Sequence, residues 1–95
     1  MSRPFTVRVD VFAAVANPVR RRIVAMLGKG ETPVGDLVRA FEMTPPALSQ
    51  HLRVLRRARL VRQRRRGRAR VYQLDPRPLY QLQDWLNKHG KPAKA

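Results

Sequence analysis

The sequence predicts one mainly α domain of about five helices, with a two-stranded β-hairpin set between the fourth helix and the fifth. Three observations predict it. Apolar residues recur at helical spacing in five separate stretches, most of them opened by a capping or proline signal. Strand-prone residues flank a short glycine loop, Arg66-Gly67-Arg68, after the fourth stretch. A length of 95 residues suits a single domain spanning residues 1–95, with a core thin enough that a partner subunit would help it.

Val11, Phe12, Val15 and Ala16 share one face, which predicts a first helix over 9–16. Asn17-Pro18 reads as an N-cap followed by proline at the first helical position. Val19, Ile23, Met26 and Leu27 then give a half-buried second helix, closed by Gly28-Lys29-Gly30. Thr32-Pro33 repeats the cap-plus-proline signal ahead of Val34, Leu37, Val38 and Phe41. The fourth helix opens at Thr44-Pro45-Pro46, where Thr44 can cap a free amide and the prolines sacrifice none that has a partner. Leu48, Leu52 and Leu55 mark its inward face. Its outward face carries Pro46, Ser49 and Gln50, then Arg53, Arg56 and Arg57. The hairpin is expected over 60–74. Pro76 and Pro78 delimit a last helix, 76–89, with Leu79, Leu82, Trp85 and Leu86 on one face, and 90–95 reads as a flexible tail.

Charge narrows the partner. Twenty-one Lys and Arg oppose six Asp and Glu, a formal +15, and ten arginines fall between Arg53 and Arg70 with no acid among them. Such an excess favours a polyanion through counterion release, and a merely solvated surface would not need charge at this density. No run is long and apolar enough to span a bilayer, and the first residues lack the stretch of a secretory signal, so a cytoplasmic location without membrane contact is expected. The absence of cysteine excludes disulfides and thiolate metal sites.

The order helix, helix, helix, short turn, helix, hairpin, helix is that of a winged helix-turn-helix, with residues 33–57 as the helix-turn-helix. A major groove about 12 Å wide admits one α-helix, whose protruding residues meet base edges. Ser49 and Gln50 can donate and accept there, Gln suiting adenine; Arg53 reaches guanine or phosphate, and Pro46 can touch a thymine methyl. Thr44 at the head of the helix, Arg56 and Arg57 at its foot, and the hairpin residues Arg64, Arg66 and Arg68 complete the expected contacts to double-stranded DNA.

These residues also resemble a known family. Phe12-Ala13-Ala14-Val15-Ala16-Asn17-Pro18-Val19-Arg20-Arg21-Arg22-Ile23 looks like the opening of the ArsR/SmtB family of bacterial regulators. Ala47-Leu48-Ser49-Gln50-His51-Leu52-Arg53-Val54-Leu55 resembles its recognition helix, in which Ser-x-His-Leu-x-x-Leu recurs, and Leu60-Val61 with Val71-Tyr72-Gln73-Leu74 match its wing. The likeness runs from about residue 9 to residue 87. It implies a homodimeric repressor on an inverted-repeat operator, joined through its first and last helices. The apolar faces of those helices agree, which makes Val11, Phe12, Val15, Leu79, Leu82, Trp85 and Leu86 the expected subunit contact.

The departures matter as much. The family's metal sensors resemble one another in a Glu-Leu-Cys-Val-Cys-Asp-Leu box; here Glu31-Thr32-Pro33-Val34-Gly35-Asp36-Leu37 places Pro33 and Gly35 at both thiolate positions. The last helix offers only Asp84 and His89 toward the family's other site, short of four ligands, so no metal and no cofactor is expected. Which signal releases DNA stays open among a small apolar ligand, a partner and the protein's own concentration. Glu42 and Arg59 stand where the family commonly has turn glycines, so both are expected to bear some backbone strain.

A basic RNA- or ribosome-associated protein shares the charge, but sequence-specific RNA modules display aromatic platforms, and only six aromatics occur here. Catalysis lacks a nucleophile set, a phosphate-cradling glycine loop, paired carboxylates or a metal box. His51 reads as a packed or phosphate-touching residue. A pure assembly module would leave the arginine hairpin without purpose.

Overall fold

A computed structural model describes residues 10–90. Val9, at the start of the expected first helix, and residues 91–95 of the expected tail lie outside it. Helix α1 spans Val11–Val15, capped by the Asp10 carboxylate, which accepts from the Ala13 amide at 3.0 Å. Helix α2 spans Pro18–Gly28, and Asn17 caps it as its sequence predicts, accepting from the Val19 and Arg20 amides at 2.8 and 3.2 Å.

Next the structure departs from expectation. Thr32–Pro33 does not begin a helix but forms a two-residue strand, β1. The Thr32 Oγ1 donates to the Gly30 carbonyl instead of capping, and Pro33 holds the N-cap position of α3, Val34–Ala40, with no side-chain bond. Proline has no amide to give a ladder, so an edge strand is a place it can occupy. Strand β2, Val61–Arg66, and strand β3, Ala69–Leu74, form the hairpin, with Gly67 at φ 64 in its loop. β1 pairs antiparallel with the outer edge of β3, Thr32 opposite Tyr72 and Pro33 opposite Val71. The sheet therefore has three strands in the order β1-β3-β2, one more than the periodicity signals.

Helix α4 spans Pro45–Arg57, and the Thr44 hydroxyl accepts from the Ala47 amide at 3.3 Å. Leu48, Leu52 and Leu55 are buried, and Ile23, Leu37, Leu60 and Val11 are buried in the same core. Each such side chain contributes about 1.5–3 kcal/mol on burial, which fixes α4 against α2 and the sheet. Of the two suspected turn residues, Arg59 adopts φ 62 and Glu42 stays out of the left-handed region. The chain leaves α3 through extended backbone at Phe41, buried beneath Arg22, so that turn needs no left-handed residue.

Helix α5 spans Arg77–His89 and buries no residue completely. Pro76 holds its N-cap position with no side-chain bond, and the Asp75 carboxylate, one residue earlier, accepts from the Arg77 amide at 3.1 Å.

Candidate nucleic-acid interface

The two faces of α4 divide as its spacing requires. Pro46, Ser49, Gln50, Arg53, Arg56 and Arg57 are exposed, with Thr44 exposed at the head, while the leucine stripe is buried. A helix held by leucines at i, i+4 and i+7 can present only its opposite side, so the polar-then-basic gradient projects outward. Half-buried His51 lies on the border, its Nδ1 3.3 Å from Arg20 Nη1.

The hairpin sorts its arginines by face. Successive strand residues point to opposite sides. Arg62 and Arg64 point to the side where the acids lie. Arg62 pairs with Asp75 at 3.1 Å and Arg64 with Glu31 at 2.8 Å. Arg65 and Arg70 sit opposite one another in the register, on the face shared with Val61, Gln63 and Tyr72. They have no acidic partner among the described residues, and neither do the loop-flanking Arg66 and Arg68. Arg64, expected at the DNA, is thus drawn to Glu31 by the pleat of its own strand. Sequence reasoning does not single out Arg65 and Arg70; strict period-2 alternation from buried Val61 would separate them from Arg62 and Arg64.

Both acids are tuned by these contacts. Hydrogen bonding from Arg77, side chain and amide, holds the Asp75 carboxyl far below the usual carboxylate range, with Arg62 adding to it. The Arg64 hydrogen bond likewise lowers Glu31. Asp75 also donates its amide to the Leu60 carbonyl at 2.7 Å, so one residue ties the hairpin base to the start of α5.

Between α4 and β2 lies a cleft of about 570 Å³ lined by Arg53, Arg56, Arg57, Arg62, Val61 and Gln63. The Arg53, Arg56 and Arg57 guanidiniums, none with an acidic partner among the described residues, make a strongly cationic surface beside the exposed helix face.

The terminal helices carry a separate surface. Phe12, Tyr80, Trp85 and Leu86 are 40–59% exposed, and Phe12 meets Trp85 edge to face. Val11, expected in that surface, belongs to the chain's own core at 2% exposure and offers nothing to a partner. Val15, Leu79 and Leu82 are half-buried against the same core. Tyr80 lies off the α5 stripe, on another side of the helix from Trp85 and Leu86.

A helix-turn-helix followed by an arginine hairpin, with a polar helix face left free, defines a winged helix-turn-helix DNA-binding protein. Residues 17–63 match the model of the arsR family of bacterial regulatory proteins. The chain is 48% identical over 75 residues to the HTH-type transcriptional regulator Rv2034 of Mycobacterium tuberculosis, covering 79% of this chain and 70% of that one. It is 31% identical to the transcriptional repressor SdpR of Bacillus subtilis over 81% of this chain and 86% of that one. The solved structure of the ArsR family transcriptional regulator RHA00566 superposes with a TM-score of 0.77 at 28% identity, covering 83% and 81% of the two chains. The chain belongs to the ArsR family: it is a DNA-binding transcriptional regulator and not an enzyme. No helix among the described residues is long and apolar enough to cross a membrane.

Proposed function

We propose that the protein is a homodimeric repressor that binds an inverted-repeat operator in double-stranded DNA, acts in the cytoplasm, and does not sense metal through the family's known sites. One observation carries the reading: Ser49, Gln50 and Arg53 stand exposed on a helix whose leucines are locked in the core. That arrangement suits insertion into a major groove, while Arg65, Arg66, Arg68 and Arg70 suit the flanking backbone. The exposed aromatic patch of α1 and α5 supports a subunit contact, since apolar area of this kind gains about 25 cal/mol per Å² when covered. Against metal sensing, Pro33 and Gly35 offer no ligating side-chain atom where the family's metal sensors carry thiolates.

The test is selection of bound duplexes from a random pool of about 30 base pairs, roughly three helical turns, with sedimentation of the free protein alongside. The reading predicts a dimer and recovered sequences with two inverted half-sites spaced by about one helical turn or a multiple of it. A monomer that recovers no common sequence contradicts it.

A further inference from the structure

Arg20 joins the DNA-reading helix to α1. Its Nε donates to the Ala14 carbonyl at 2.8 Å and its Nη2 to the Ala13 carbonyl at 3.1 Å, satisfying oxygens near the end of a short helix. Its Nη1 lies 3.3 Å from His51 Nδ1. A guanidinium has no acceptor, so this contact is a hydrogen bond only when Nδ1 keeps its lone pair, with the ring neutral and its proton on Nε2.

The surroundings of His51 are cationic. A recess of about 270 Å³ beside it is lined by Arg20 from α2 and by Gln50, Arg53, Val54 and Arg57 from its own helix. No carboxylate lines it. Helix α1 has no ionisable side chain between Val11 and Val15. The neighbouring Arg21 donates to the Val15 carbonyl at 2.6 Å, and Arg22 lies over the Phe41 ring.

We infer that Arg20 and His51 form a proton-sensitive positioning contact for the recognition helix. Neutral His51 accepts from Arg20 and ties α4 to α1. A protonated ring has donors on both nitrogens, so the bond breaks and a new positive charge faces Arg20, Arg53 and Arg57. Gln50 precedes His51 in the chain, so a displacement there moves a base-reading side chain. The inference rests on the DNA-reading assignment above. It fixes a sign: duplex binding is complete where His51 is neutral and weakens as the pH falls. A histidine that merely touched phosphate would do the opposite, since added positive charge strengthens backbone contacts.

The experiment uses the full chain carrying His89→Asn, which removes the other histidine titration. The probe is a fluorescent duplex of about 30 base pairs recovered from a random pool at about pH 8, held at constant salt. Between about pH 8 and about pH 5.5, binding should weaken about tenfold, the order expected for one hydrogen bond to a charged group. Adding His51→Asn, whose amide oxygen can accept without titrating, should abolish that dependence. A check that needs no substitution is nitrogen NMR of the wild-type ring, which should show Nδ1 as the unprotonated nitrogen at about pH 8. Binding that is flat or strengthens in acid, or a ring with its proton on Nδ1, overturns the inference. No duplex binding at any pH overturns the DNA-reading assignment and this inference with it.

Discussion

Phe12 of α1 and Trp85 of α5 meet edge to face with ring centroids 5.6 Å apart, yet 40% and 48% of their surfaces stay open. The pair closes the chain's two terminal helices on each other and at the same time leaves an aromatic platform outside. Trp85→Glu should therefore weaken self-association about 100-fold, the effect typical of removing a buried aromatic anchor of about 2–3 kcal/mol. Sedimentation velocity against concentration checks it, with circular dichroism confirming that the helices remain. Val11→Ala, by contrast, should lower thermal stability and leave the association constant unchanged, because that side chain lies in the core.

The division of the wing into two faces gives a second outcome. Arg65→Ala and Arg70→Ala should each make the dependence of log Kd on log salt shallower, by about 0.9 for every phosphate that the guanidinium neutralises in the complex. Arg64→Ala should change it less, because Glu31 already holds that guanidinium. Equilibrium titration of one duplex at several salt concentrations measures all three.

Arg59 occupies φ 62 at the junction of α4 and β2. A side chain there costs roughly 1 kcal/mol relative to glycine. Arg59→Gly should raise stability by about that amount in a urea titration, with the helix content unchanged.

Asp75 fastens the hairpin base to α5 through Arg62, Arg77 and the Leu60 carbonyl. Its carboxyl titrates lower in the folded protein than in the unfolded chain, so its stabilisation is complete above the ordinary carboxylate range and fades as the pH drops below about 4. Asp75→Asn should lower the melting temperature at about pH 7, and the gap to wild type should narrow on acidification. A gap that widened in acid would contradict the clasp.

Much of this is readable in the residues. Asn17-Pro18 and Thr44-Pro45 cap the helices they announce, because a cap is a local bond between near neighbours. The leucine stripe of α4 settles which side chains face out, and the structure keeps that division. What escapes depends on partners far away in sequence. Thr32-Pro33 carries a valid helix-start signal, yet the open edge of β3, Val71 and Tyr72, recruits it as a strand. Alternation along β2 can part Arg64 from Arg65, but which of the two faces carries an acid is settled by Glu31, far away in sequence. Val11 shares a helical stripe with Phe12, but a one-residue rotation about α1 sends one inward and the other out.

The most direct test is to repeat the duplex selection with Gln50→Ala. If α4 lies in the major groove with Gln50 at a base edge, preference should relax at one position, mirrored in both half-sites, by about 1–3 kcal/mol, with the other positions unchanged. Equal weakening on every duplex, with the selected sequence intact, would mean that this face of the helix does not read bases.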